Sequence, residues 1–221
     1  MESPLSWLAI VGGPVVAILL LLSLTALILI LFKLSQFWYL RPAANARSEQ
    51  LMRHFAAGEQ AQLRLLCKGQ RNGRVQLIDQ TRELLEQKAL TGDLLRSELF
   101  RRARLALAPL EAWLRPLEVI AIVAPLLGLF GTVLGMIDAF RAMEAAGTQV
   151  NPAVLSGGIW QALLTTAVGL AVAIPVTMIH SALERTTETT AMGMQNDIEQ
   201  MLALQAQQQH QAQGKSIRNA S

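Results

Sequence analysis

The sequence predicts an all-α integral membrane protein with three transmembrane helices and a helical cytoplasmic domain. Of its 221 residues, 52% are hydrophobic and only 16% are charged, against roughly 25% charged residues in soluble chains. Three uncharged runs are each long enough to cross a bilayer, which takes about 20 apolar residues. Most of the 19 Lys and Arg residues lie between the first and the second run, which predicts that this segment is cytoplasmic.

The first element is a transmembrane helix predicted over residues 15–37. It lies in an uncharged run from Ser3 to Phe32. Gly12-Gly13-Pro14 marks its start, because proline suits the first position of a helix. Residues 1–14 are expected to form an interfacial segment. The first 32 residues contain one acid and no base, so the positive-inside rule places the N-terminus in the periplasm.

Residues 38–116 are predicted to form a bundle of cytoplasmic helices, since apolar residues recur at helical spacing. Gly58 and Gly69 are typical helix stops, and Asn72-Gly73 is a turn signal. The last helix of this region is expected to continue into the second span, kinked at its prolines. These are Pro109 and Pro116.

Composition also excludes several functions. The net charge of +3 reflects membrane topology and does not indicate nucleic-acid binding. The single cysteine, Cys67, rules out an internal disulfide and suits a reducing compartment. Since there is no metal-ligand spacing, nucleophile–base pair or phosphate-binding loop, we expect no enzymatic activity, no metal and no cofactor.

The second span is predicted over residues 117–143 and is rich in small residues. In a soluble helix a glycine costs roughly 1 kcal/mol and an interior proline roughly 3, whereas membrane helices tolerate both and use small residues for close packing. The packing candidates here are Pro125, Gly128, Gly131 and Gly135. Thr132 is the only polar side chain between Glu118 and Asp138.

A short periplasmic loop, residues 144–154, is predicted to follow. Asp138, Arg141 and Glu144 lie at spacings of three, which favours ion pairing at the outer end of the helix. A proton-carrying role for Asp138 is the alternative interpretation.

The third span is predicted over residues 155–183 and has its own stripe of small and hydroxyl-bearing residues. The members of that stripe are Ala162, Thr166, Gly169, Ala173 and Thr177. Residues 184–221 are expected to form a cytoplasmic helix of about 20 residues and then a polar, glutamine-rich tail. From Gln205 onward the low hydrophobicity predicts disorder.

The two threonines, Thr132 and Thr166, are expected to lie at similar depth. Thr132 lies eight residues before Phe140, near the outer end of its span, and Thr166 lies eleven residues after Leu155. At 1.5 Å per residue these distances are roughly 12 Å and 16 Å. Together they predict a partly hydrated lumen; the alternative is that each hydroxyl bonds back to its own helix. Because the interior holds no ionisable residue except at the ends of the spans, an ion path would need an acid from another chain.

The stretch from Ala124 to Ile137, with Ile159 to Pro175, resembles the signature pair of the MotA/TolQ/ExbB proton-channel family, and most resembles its ExbB branch. That resemblance implies a homopentameric ring in the bacterial inner membrane around an ExbD-type dimer. An aspartate of the dimer supplies the titratable group, and the assembly drives a TonB-type protein for outer-membrane import of siderophores and similar cargo. The family's pore threonines fall on Thr132 and Thr166.

One position departs from the family pattern: many members have Glu where this chain has Gln161, which cannot ionise. Thr165 adds a hydroxyl beside Thr166, so Gln161 and Thr165 are further candidates for lining the path. The signature packing positions are Pro125, Gly128, Gly131, Gly135, Gly169 and Pro175. Two alternatives remain open, which are a TolQ-like role in envelope integrity and cell division, and a non-conducting membrane scaffold.

Overall fold

The computed structural model describes residues 4–40, 45–70, 72–87, 90, 92–146 and 152–218. These residues form seven α-helices and, within the described ranges, no strand, which confirms the all-α prediction. The helices are α1 (Pro4–Leu40), α2 (Asn45–Ala56), α3 (Gln60–Cys67), α4 (Gly73–Gln87), α5 (Gly92–Glu111), α6 (Leu114–Ala146) and α7 (Pro152–Arg218).

Three of the helices are long and apolar enough to cross a membrane, as the sequence predicted. The qualifying segments are Gly13–Leu40 of α1, Leu114–Ala145 of α6 and Leu155–Gln208 of α7. The predicted spans 15–37, 117–143 and 155–183 lie inside these segments. Their exact membrane boundaries stay predictions.

The chain divides into two compact units. The membrane unit comprises Met1–Leu34 and Trp113–Leu183, and the polar unit comprises Ser35–Ala112 and Glu184–Ser221. The polar unit contains α2 to α5 with the last part of α7, and it has its own hydrophobic core. Core side chains from all five helices are almost fully buried, among them Leu51, Leu63, Ile78, Leu99, Met194, Ile198 and Met201.

Glycines end the first two helices of the polar unit, as their positions in the sequence predicted. Gly58 and Gly69 have φ angles of 75° and 74°, a left-handed conformation that residues with a side chain rarely adopt. Cys67 is a buried free thiol near the second of these stops. Burial raises the pKa of the Cys67 thiol to about 11, so this residue is a structural cysteine of low nucleophilicity.

A buried ion pair joins α4 to α7 within the polar unit. Arg74 Nη2 donates to Asp197 Oδ1 at 2.9 Å, across 123 residues of sequence. The side chains of the pair are 9% and 3% exposed. Gly193 leaves room for it, since a Cβ atom there would lie 2.7 Å from Arg74 Cζ. At the start of α4, the Arg74 amide also donates to Asn72 Oδ1 at 2.9 Å.

The helix predicted to run from the polar region into the second span is in fact broken, so that prediction was wrong. α5 contains Pro109 and ends at Glu111; α6 starts at Leu114, and Trp113 between them has a φ of 66°. The cause is Pro116, which lacks an amide hydrogen and whose ring would clash with the carbonyl of Ala112 in a continuous helix. In the first turn of a new helix the same proline is tolerated.

The ends of the other two long helices also differ from expectation. α1 is already helical from Pro4, and Gly13, with a φ of 63°, is a left-handed residue within it instead of a boundary before it. α7 continues to Arg218, so the predicted disorder from Gln205 is wrong for residues 205–218. Gln, Ala and Leu are good helix formers, and helix propensity outweighs the low hydrophobicity there.

The buried ion pair provides a stability test. Asp197→Ala leaves the Arg74 guanidinium buried without its carboxylate, and breaking such a pair costs about 3–5 kcal/mol. We expect a loss of that size in the free energy of unfolding, measured by urea denaturation of the detergent-solubilised chain. The matched control is Glu199→Ala, two residues along α7, which removes an exposed pair with Arg96 and should cost below about 1 kcal/mol. Equal losses would contradict the assignment.

Candidate functional site

The backbones of α6 and α7 touch at a series of glycines. A Cβ atom at Gly169 would lie 2.7 Å from the carbonyl oxygen of Ala124, and one at Gly128 would lie 3.0 Å from the carbonyl oxygen of Thr165. At Gly135 it would lie 2.9 Å from Ala162 Cβ. These separations leave no room for a methyl group, so glycine is what allows the two helices to approach.

The same contacts set the antiparallel register of the two helices. Gly128 faces Gly169, Gly135 faces Ala162, and Gly158 faces Ala139. Between these contacts, Thr132 of α6 lies opposite Thr165 of α7. Thr166 is therefore displaced from Thr132 by one residue along the helices. The depths estimated from helical rise therefore agree with the packing to within about two residues, or 3 Å.

Each of the three hydroxyls at this level is bonded to a backbone carbonyl. Thr132 Oγ1 donates back to Leu129 O at 2.6 Å, which is the alternative that the sequence left open. Thr166 Oγ1 instead donates across to α6, to Gly128 O at 3.1 Å. The Gly128 carbonyl is thus a shared polar centre, since Thr165 Oγ1 also lies 3.1 Å from it.

Thr165 and Thr166 differ in their surroundings. Thr165 is only 2% exposed, because its side chain is packed against Gly131, where a Cβ atom would lie 2.6 Å from Thr165 Oγ1. The shorter hydrogen bond of Thr165 goes to Ala162 O at 2.7 Å. Thr132 and Thr166 are half-buried, and their side chains lie at the edge of the helix contact. These two are therefore more accessible to a further chain than Thr165.

The remaining signature positions lie within the same two helices. Pro125 lies inside α6 and Pro175 inside α7. Each removes one amide hydrogen from its helix, which membrane helices accommodate. Gln161 lies on α7 one turn before Thr165, and its half-buried side chain lines a cavity between the helices.

That cavity, of about 340 Å³, lies among α1, α6 and α7 within the membrane unit. Its polar lining residues are Asp138, Gln161 and Thr165, and glycine, alanine, proline, valine and leucine supply the rest. The predicted ion pairs of Arg141 with Asp138 and with Glu144 are absent from the ion pairs formed by the described residues. Asp138 is positioned along the cavity instead, and exposed surface pairs of that kind contribute little.

Sequence reasoning missed two parts of this arrangement. One is the contribution of Gly13, Pro14 and Val15 of α1 to the cavity wall; the glycine–proline pair was interpreted only as a helix start. The other is the contact of Gly158 with Ala139, where a Cβ atom would lie 2.6 Å from the alanine methyl. Its signal was present in the small-residue spacing at the start of the third span.

The fold and this site define a multi-pass helical membrane protein whose second and third spans pack backbone to backbone around hydroxyl side chains. Residues 57–196 match the MotA/TolQ/ExbB proton channel family. The chain belongs to this family.

Curated relatives of two kinds are similar to parts of the chain. Biopolymer transport protein exbB1 of Vibrio cholerae is 47% identical over 62 residues, which is 28% of this chain and 27% of that protein. ExbB of Salmonella typhimurium is 37% identical over 90 residues, 41% and 36% of the two chains. The Tol-Pal system protein TolQ of Pseudomonas aeruginosa is 33% identical over 109 residues, 48% and 47% of the two. The chain therefore covers less than half the length of each of these three relatives.

Helix packing can be tested with a pair of glycines on α7. Gly169→Ala places a methyl 2.7 Å from a backbone oxygen of α6, so the helices must separate, and we expect a loss of about 1–3 kcal/mol in the free energy of unfolding. Gly157→Ala is the control, since nothing lies within 4 Å of its new methyl and alanine favours the helix. Thermal unfolding in detergent measures both variants. A loss as large for Gly157→Ala would show that the space between the helices is not the cause.

Proposed function

We propose that this chain is an ExbB-like subunit of an inner-membrane motor driven by the proton-motive force. In this proposal a homopentameric ring of the chain surrounds an ExbD-type dimer and energises a TonB-type protein for outer-membrane import of iron–siderophore complexes or similar cargo. Family membership supports the proposal. The observation on which it mainly rests is that the hydroxyls of Thr132, Thr165 and Thr166 lie at a similar depth in two closely packed spans.

The chemistry of the site suits conduction rather than catalysis. A threonine hydroxyl both donates and accepts hydrogen bonds, so it can pass a bond between a water molecule and a neighbouring acid. No acid occurs in α6 between Glu118 and Asp138, and none occurs in α7 between its start and Glu184. The carboxylate that titrates beside the threonines therefore comes, in this proposal, from the transmembrane aspartate of the partner.

The hydrogen bonds of the isolated chain are compatible with such a role for Thr166. Its bond to Gly128 O is 3.1 Å long, just beyond the range of about 2.5–3.0 Å that is usual for a hydroxyl donor. Rotation about the side chain exchanges this acceptor for an oxygen of the partner. Thr132 already uses its proton on Leu129 O, but its oxygen keeps a lone pair for an incoming donor.

A non-conducting scaffold is the contrasting function, and one observation favours it. All three hydroxyls have backbone acceptors within the chain, so packing alone accounts for them. A TolQ-like role in envelope integrity and cell division is the second alternative. It is favoured by the TolQ protein of Pseudomonas aeruginosa, whose match extends over 109 residues.

Conduction and scaffolding make different predictions for removal of a hydroxyl. Thr132→Val and Thr166→Val keep the side-chain shape but remove the hydroxyl, and each should lower proton flux about tenfold. A tenfold change in rate corresponds to roughly 1.4 kcal/mol, which is about the contribution of one hydrogen bond. Flux is measured with an entrapped pH dye in proteoliposomes containing the chain and its partner.

The control for these variants is Thr25→Val on α1, which removes a hydroxyl that donates only to Leu21 O of its own helix and should leave flux unchanged. Unchanged flux in both pore variants would reject the path through Thr132 and Thr166, and flux of the unmodified chain no higher than that of protein-free liposomes would support the scaffold.

A complementation experiment distinguishes the ExbB-like role in import from the TolQ-like role in envelope integrity. The chain and its partner are expressed in one Gram-negative strain lacking its ExbB and ExbD proteins and in another lacking their Tol counterparts. We expect recovery of growth on a siderophore in the first strain and continued detergent sensitivity in the second. Recovery of detergent resistance without siderophore use would establish the TolQ-like role instead.

A further inference from the structure

Asp138 is an acid in the outer part of the second span, where a charged side chain needs an explanation. It lies five residues inside the predicted outer boundary at residue 143, about 7.5 Å along the helix, and it is exposed in the isolated chain. Large apolar side chains surround it on the helix surface, since Ile137 and Phe140 are both exposed, as expected of lipid-facing residues. A carboxylate at such a level is costly unless it faces a cavity or a partner, and acids placed there usually serve ion or proton transfer.

The cavity among α1, α6 and α7 supplies such a surrounding. At about 30 Å³ per molecule, its 340 Å³ accommodates roughly ten waters. Gln161 and Thr165 add an amide and a hydroxyl to its wall opposite Asp138. A mixed polar lining of this kind keeps a carboxylate hydrated, which an apolar cavity does not.

Asp138 is the one charged residue among those lining the cavity in the described part of the membrane unit. The α1 wall, at Gly13 to Val15, and the α7 wall, from Gly158 to Thr165, contribute no charge. On α6 itself Arg141 lies three residues further out and forms no ion pair with Asp138, and six residues further out lies a second acid, Glu144.

The cavity also leads from Asp138 to the threonines. Thr165 forms part of its wall, and Thr165 Oγ1 lies 3.1 Å from the Gly128 carbonyl, which accepts the hydrogen bond of Thr166. Asp138 is six residues beyond Thr132, about 9 Å along α6. Carboxyl, amide and hydroxyl groups are thus arranged in sequence from the outer end of the span to the level of the threonines.

From this arrangement we propose that Asp138 is a proton-binding residue of the chain itself, placed at the outer entrance of the path. A hydronium ion from the periplasmic side transfers its proton to an Asp138 carboxylate oxygen, leaving water. The neutral carboxyl group then gives that proton to a water of the cavity, and the carboxylate is restored. The inference deepens the proposed conduction function and rests on it.

The main test moves the carboxylate within the cavity. In proteoliposomes containing the chain and its partner, Asp138→Asn should lower proton flux at least tenfold. The double variant Asp138→Asn with Gln161→Glu returns an acid to the same cavity and should recover flux to within about threefold of the unmodified chain. Glu144→Gln, an equal change of charge six residues further out, is the control and should leave flux unchanged.

Two results would overturn the proposal. One is full flux in Asp138→Asn. The other is a loss that Gln161→Glu does not recover although the double variant assembles normally by size-exclusion chromatography, since Asp138 would then act through local structure alone.

A second measurement does not depend on conduction. Dicyclohexylcarbodiimide adds protonated carboxyl groups across its C=N bond, and mass spectrometry of the intact complex's peptides locates the product. We expect labelling of Asp138 to exceed that of Glu144 at least tenfold under the same conditions. Labelling of Asp138 no greater than that of Glu144 would overturn the proposal. If Thr132→Val and Thr166→Val leave flux intact while Asp138 labels as expected, the threonine path fails and the proton-binding residue stands.

Discussion

Backbone contact between α6 and α7 is the constraint on which the rest of the membrane unit depends. In lipid, helices gain little from hydrophobic association, so van der Waals contact and hydrogen bonds hold them together. Where glycines bring the two backbones together, the carbonyl of Gly128 comes within reach of hydroxyls on the opposite helix. The level of the threonines is thus a consequence of the packing, and a change that separates the helices would also disperse the polar groups.

The polar unit uses glycine for a related purpose. Gly193 leaves space for the Arg74 guanidinium beside α7, and the ion pair with Asp197 joins segments 123 residues apart. In both units a missing side chain on one helix makes room for a polar contact from another. Desolvation of the ion pair offsets much of its Coulomb attraction, so we attribute to it the specific alignment of α4 on α7 more than net stability.

Much of the fold was predictable because its signals are local. Uncharged runs identified the three spans, and the stops at Gly58 and Gly69 follow from the left-handed conformation that glycine allows. The break at Trp113 was missed because its cause lies further along, in the conflict of Pro116 with the carbonyl of Ala112.

The site was predictable only in part. Spacing alone placed the threonines at matching depth, since antiparallel neighbours joined by a short loop share a register. The cavity was not predictable, because its wall combines three helices distant in sequence, and the pairing expected of Asp138 considered its own helix alone. The acceptor of each hydroxyl likewise depends on how closely the neighbouring helix approaches.

The contacts along α6 and α7 have an evolutionary consequence. At Gly135 with Ala162, and at Ala139 with Gly158, the space between the backbones holds one methyl group, which either helix can supply. The combined side-chain volume of the two residues in each pair is therefore limited to one methyl group. A gain of a methyl on one helix becomes neutral only after its loss on the other, so these positions should drift by reciprocal exchange and coevolve as pairs.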